Sequence, residues 1–174
     1  MDVAAVQALL DERAIHRVLV RYCRGVDRAD EALIRGAYHE DARDRRGWFD
    51  GTGWEFARVI TDDFRRRGRS SLHLLTNATI DVDGDEARAE SYTLALSTAA
   101  DGTGPVQAFA GRYLDRFARR DGEWRIAERT VVRDWHADLE RVEGAAFVRD
   151  LGDQLRGAFA PDDPSCALLE GVGR

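Results

Sequence analysis

Residues 71–98 read SLHLLTNATIDVDGDEARAESYTLALST, and their reading decides the fold. Apolar and polar residues alternate on either side of Asp83-Gly84-Asp85. That spacing predicts two antiparallel strands, 72–82 and 86–98, joined by a tight turn. Residues 106–119 and 123–136 repeat the arrangement around Asp121-Gly122. His73 stands among Leu72, Leu74 and Leu75, and it reads two ways. It is a core histidine tied to a backbone carbonyl, or a base that faces a pocket.

Upstream of residue 71 the period is that of a helix. Ile15, Val18, Leu19, Tyr22 and Val26 share one face of a helix over 3–26. Asp30 caps a short second helix, Glu31 to Tyr38, which His39-Glu40-Asp41 ends. A short strand near 42–46 and a turn at Asp50-Gly51 follow. Thr52-Gly53-Trp54-Glu55 has the form of a capping box and opens a third helix, with Arg65-Arg66-Arg67 in its last turn and Gly68 to end it. In the last long strand, Trp124 and Ile126 share one face while Val131 and Trp135 share the other. A β-bulge near Ala127-Glu128 reconciles them and bends the sheet. Residues 144–159 suggest a final helix, broken by Pro161 and Pro164. Three helices followed by long antiparallel strands give an α+β class: a curved antiparallel sheet wrapped around N-terminal helices to form a cone. The 174 residues suit one domain, with its core at about 10–136 and a helix and tail from 137 to 174.

Composition narrows the function. The net charge of −6 argues against a binder of nucleic-acid phosphates. No apolar run has the ~20 residues that cross a bilayer, and the start MDVAAVQALLDERA lacks the basic and apolar pattern of a secretory signal. A cytoplasmic location is the expectation. Cys23 and Cys166 have no metal-like spacing, and no phosphate loop, dinucleotide fingerprint or zinc motif is present. Neither a metal nor a nucleotide cofactor is expected.

The ordered set Ile15-His16-x-x-Leu19-x-x-Tyr22, Gly25-Val26-Asp27, His73-x-x-Thr76-Asn77, Asp83-Gly84-Asp85-x-Ala87-x-Ala89, Gly111-Arg112-Tyr113-x-Asp115 and Asp121-Gly122-x-Trp124-x-Ile126-x-x-Arg129 resembles SnoaL-like proteins of the nuclear transport factor 2-like superfamily. The resemblance covers residues 10 to 136. It implies the cone fold and a range of activities, among them dehydratases, isomerases, cyclases and non-catalytic subunits. Scytalone dehydratase, bile acid 7α-dehydratase and hexachlorocyclohexane dehydrochlorinase share an Asp–His pair, whose positions here fall on Asp27 and His73. The resemblance also maps an active-site tyrosine onto Tyr22 and an active-site arginine onto Arg129. On the second long strand those dehydratases carry a further His or Asp. Here Leu94-Ala95-Leu96-Ser97-Thr98 offers only hydroxyls.

These residues suit proton abstraction from carbon. A histidine titrates near neutrality, and a carboxylate fixes its tautomer and stabilises the imidazolium. The expectation is a cofactor-independent lyase, dehydratase-like, that acts on a small apolar ring compound. His73 is the base, Asp27 its orienter, and Tyr22 and Arg129 the polar helpers. An isomerase or cyclase with the same dyad, or a non-catalytic ligand-binding subunit, is the alternative. Asp44, Trp48 and Asn77 are candidate pocket residues. Asp44 also reads as a surface charge among arginines, and Asn77 as a group that satisfies backbone near the strand entry. Trp48, Phe49 and Trp54 line a pocket mouth or pack on a helix. His16, His39 and His136 are assigned no role. Tyr92, Leu94 and Leu96, opposite Thr93 and Ala95, make the sheet apolar on both faces, so a homodimer or homotrimer is expected.

Overall fold

The computed structural model describes residues 2–99, 104–140 and 157–169. Helix α1 spans Val3–Asp27, opened by Asp2, whose carboxylate accepts the Ala4 N–H at 3.0 Å. Its buried stripe of Ile15, Val18, Leu19, Tyr22 and Val26 is the one that the periodicity predicts. Helix α2 covers Glu31–Gly36, capped by Asp30.

The second helix stops short of Tyr38, which instead starts strand β1, Tyr38–Arg45. His39, Glu40 and Asp41 therefore belong to a strand. Two forces decide this. Gly36 is a poor helix former, and the Ala37 carbonyl accepts the Ile126 N–H at 2.9 Å. The Tyr38 ring is then buried at the centre of the molecule, against the start of the next helix. Only glycine fits there: a Cβ on Gly53 would stand 2.3 Å from the ring's Cδ1.

Strand β2, Asp50–Thr52, leads into α3, Gly53–Arg67. The capping box forms, with the Glu55 N–H donating to Thr52 Oγ1 and the Thr52 N–H to Glu55 Oε2. Four long strands follow: β3 Ser70–Asp83, β4 Glu86–Thr98, β5 Val106–Arg120 and β6 Glu123–Leu139. Asp121 and Gly122 both have positive φ, as a two-residue turn between twisted strands requires. The six strands lie in the order β2-β1-β6-β5-β4-β3, antiparallel except where β1 runs parallel to β6. The sheet curves without closing, and α1 packs in its concavity beside β3 and β6.

Two irregularities in β6 set that curvature. Arg116 pairs with Glu128 and Phe117 with Ile126, so Ala127 is the extra residue of a bulge where the strand's parity demanded one. A second bulge was not foreseen. Ala110 pairs with Trp135 and Gly111 with Arg133, which leaves Asp134 as another extra residue. The first bulge turns Val131 inward. The second reverses the phase again, so Trp135 is 52% exposed on the outer face and His136 points to the inside.

The helix expected over 144–159 lies largely outside the described residues. Its end at 157–159 is not helical, and Pro164 opens a short helix, α4, Pro164–Leu168, instead of breaking one. This segment docks on the end of α1. Asp163 is buried, its Oδ2 is 3.1 Å from Arg28 Nε, and the Ala160 N–H donates to the Arg28 carbonyl at 2.8 Å. Among the described residues, no helix is long and apolar enough to cross a membrane.

Candidate active site

The last residue of α1 reaches across to the first long strand. Asp27 Oδ1 accepts the Ser71 hydroxyl at 2.8 Å and faces His73 Nδ1 at 2.6 Å. Its Oδ2 accepts the His73 backbone N–H at 3.0 Å. Both side chains are 10% exposed. Burial pushes the Asp27 carboxyl up. The bonds and charge from His73 and the Ser71 hydroxyl outweigh it, so the group titrates below the ordinary aspartate value. An ionised carboxylate only accepts hydrogen bonds, so Nδ1 carries a proton, and in the neutral ring Nε2 is then the nitrogen with the free lone pair.

That imidazole forms part of the wall of a cavity of about 740 Å³ between α3, the end of α1 and the concave sheet. The size suits a small organic molecule. Val26, Phe56, Ile60 and Phe64 give one side of it apolar character. An adjoining lobe shares His73, Ala95 and Phe109 and adds Tyr113, Val131 and Arg133.

Tyr22 reaches the same cavity with only 1% of its surface exposed. Its ring meets Tyr38 and Tyr113 edge-on, at centroid distances of 5.9 and 5.7 Å. Its hydroxyl has no hydrogen-bond partner among the described residues, and burial raises its pKa, so it stays a donor.

Arg129 stands behind this wall instead of on it. It is fully buried, and its Nε and Nη2 each meet an Asp115 carboxylate oxygen at 2.7 Å. Its guanidinium sits in the corner between the edge-on rings of Tyr22 and Tyr113, 4.2 and 4.1 Å from their centroids. Burial works against its charge. Asp115 outweighs that, and the group holds its proton well above the ordinary arginine value.

Asp44 is neither a surface charge nor a group on the cavity wall. It is fully buried and accepts the Tyr38 hydroxyl at 2.6 Å and Arg46 Nε and Nη2 at 2.6 and 2.7 Å. Arg46 itself lies on the wall beside His73. Trp48 sits at the rim, 65% exposed. Asn77 does not take part. It is exposed at a register shift in β3, where Leu75 pairs with Thr93 and Ala78 with Ser91. Trp54 packs under the Arg35 guanidinium, and the His39 ring bonds the Ala118 carbonyl at 2.9 Å.

Arg46, Arg133 and His136 are the wall residues that sequence reasoning missed. A charge beside Asp44 read as surface, and the bulge at Asp134 hid the inward phase of His136; Arg133 shares the inward phase of Val131 but was not singled out. The Cys23 thiol is pushed up to about 12 by burial and is not a nucleophile at neutral pH. Among the described residues, no three His, Cys, Asp or Glu side chains converge as metal ligands would.

The SnoaL-like domain family model matches residues 7–130. The chain belongs to the SnoaL-like family. Solved structures with the same fold include a putative scytalone dehydratase from Novosphingobium aromaticivorans, at 23% identity and TM-score 0.70 over 79% of this chain and 93% of that one. A Mycobacterium tuberculosis protein of unknown function is 27% identical, with TM-score 0.66 over 75% of each chain. Hexachlorocyclohexane dehydrochlorinase LinA-type3 from Novosphingobium barchaimii is 21% identical, with TM-score 0.70 over 79% of this chain and 96% of that one. No curated protein matches the chain. The SnoaL-like assignment agrees with the helices and curved, unclosed sheet described above.

Asp115→Asn leaves the Arg129 charge buried and uncompensated, so chemical denaturation should show a loss of about 3–5 kcal/mol. The lowered pKa of Asp27 has a different signature. Its contribution to stability is complete above the unfolded carboxylate value, ~3.9, and is lost as pH falls through the lower folded value. Urea titrations should show Asp27→Asn losing less stability than the wild type across that acid window.

Proposed function

We propose that this SnoaL-like protein is a cofactor-independent lyase that eliminates water or halide from a small, largely apolar ring compound. The observation that carries this reading is the 2.6 Å contact between His73 Nδ1 and Asp27 Oδ1 at the cavity wall. It leaves Nε2 free to take a proton from a C–H bond. The carbon electron pair becomes the new double bond, and the leaving group departs with the electrons of its own bond. Asp27 stabilises the imidazolium that forms, as the carboxylate does in hydrolase triads. The Tyr22 hydroxyl donates to the oxygen on which charge develops. Arg129 acts through Tyr22, fixing its ring from behind, and is a positioning residue.

One observation favours a second outcome for the same dyad. The inward side of β4 carries Ala87, Ala89, Ser91 and Thr93, then Ala95 and Ser97 at the cavity. It supplies no acid for a departing hydroxide. An isomerase or cyclase, which returns the proton to another atom, needs none.

We also assign the outer face of the sheet to self-association as a homodimer or homotrimer. Leu72, Leu74, Tyr92, Leu114 and Trp135 stand 38% to 53% exposed there. Sedimentation at micromolar concentration should give a multiple of the chain mass, and a monomer would contradict the assignment.

His73→Ala and Asp27→Asn should each lower turnover by at least ~10²-fold with the fold intact by circular dichroism. Full activity in either folded variant would refute both catalytic readings. Mass spectrometry of the product separates them: loss of water or hydrogen halide marks the lyase, and unchanged mass the isomerase.

A further inference from the structure

The lobe of the cavity beyond His73 has an unusual charge make-up. Its wall carries Arg46, Arg133, His73 and His136, together with Trp48 and Phe109, and no carboxylate. Arg46 is the inner of the two arginines, with its side chain 10% exposed. Asp44 accepts from its Nε and Nη2, and Nη2 also lies 3.3 Å from the Tyr38 hydroxyl. Its guanidinium stacks on Phe56, 3.4 Å from the ring centroid. These contacts fix the planar group by one edge. The remaining nitrogen, Nη1, has no partner among the described residues, although the residue lines both lobes of the cavity. Arg133, at the outer rim, is exposed and likewise has no hydrogen-bond or ion-pair partner among the described residues.

A buried arginine with one edge held and the other free is a preorganised donor. It loses little rotamer freedom when an acceptor arrives. Asp44 occupies the edge directed at Tyr38, so the pair turns its positive end toward the cavity. The second cation at the rim has the same sign, and no carboxylate lines this lobe beside it.

We propose that Arg46 and Arg133 form an anion-binding subsite, and that the natural ligand is a ring compound bearing an ionised oxygen, carboxylate or phenolate, that lies against Arg46 Nη1. This names the substrate class of the same cavity and so rests on the lyase or isomerase reading of it. An anionic oxygen anchored there would hold the ring against Phe109 and Trp48 and present a neighbouring C–H to His73. It would also place a stabilised oxyanion next to the carbon that loses its proton.

The test is equilibrium binding to the intact protein by titration calorimetry, with benzoate, 4-nitrophenolate and uncharged nitrobenzene as probes. Either anion should bind at least about tenfold more tightly than nitrobenzene, the cost of losing one charge-assisted hydrogen bond. Whichever anion binds better identifies the oxygen as carboxylate or phenolate. Arg133→Met, at an exposed position, should weaken anion binding and leave nitrobenzene unaffected. Arg46→Met combined with Asp44→Asn removes both buried charges together and should abolish the preference, with circular dichroism to verify the fold. His73→Ala should keep the preference, so anion binding is read separately from the fate of the catalytic dyad. Equal binding of the three probes by the wild type, or undiminished anion preference in the folded arginine variants, would overturn the proposal.

Discussion

The structure depends on one carboxylate. Asp27 ends the opening helix and takes hydrogen bonds from the Ser71 hydroxyl, the His73 backbone and the His73 ring. All three contacts tie a helix terminus to a strand that the chain reaches more than forty residues later, at sequence separations of 44 and 46. The contact to Nδ1 also fixes which imidazole nitrogen carries the proton. A clamp that closes the fold also orients the candidate base, so site geometry and helix placement cannot vary independently. A largely buried carboxylate with three donors remains ionised, and that gives the ring a fixed acceptor.

Behind the clamp lies a second layer of charge. Asp115 with Arg129, and Asp44 with Arg46, are buried ion pairs packed among Tyr22, Tyr38 and Tyr113. Such pairs are costly to desolvate and give weak net stabilisation compared with an apolar core of the same volume. What they supply is orientation. The Arg129 guanidinium lies against the Tyr22 ring in the corner that Tyr22 makes with Tyr113, and Asp44 holds one edge of Arg46. The tyrosine at the cavity and the arginine beside His73 are thus set by partners that never touch the cavity.

Much of this was legible from residue pattern. The period-two runs around Asp83-Gly84-Asp85 and Asp121-Gly122 marked the hairpins, and the parity conflict in the last strand located the bulge at Ala127. The resemblance brought Asp27 and His73 together, which no local pattern could do for residues so far apart. The failures have physical causes. The six residues of a helix that ends on Gly36 do not outweigh the pairing of β1 with β6, so the second helix ended early. A second bulge cancels the parity signal of the first, and it sent Trp135 outward and His136 inward. Burial of Asp44 and Arg46 was invisible because each neutralises the other, and a run of alternating charge reads as a solvated face until the partner is known.

The central claim is that Asp27 holds the His73 ring with its proton on Nδ1 and its free lone pair toward the cavity. Nitrogen-15 spectra of histidine-labelled protein, recorded at a pH where imidazoles are neutral, test it directly. The account predicts a protonated Nδ1 and an unprotonated Nε2 for His73 in the wild type, with that bias lost in Asp27→Asn. A proton on Nε2, or the same tautomer mixture with and without the carboxylate, would contradict it.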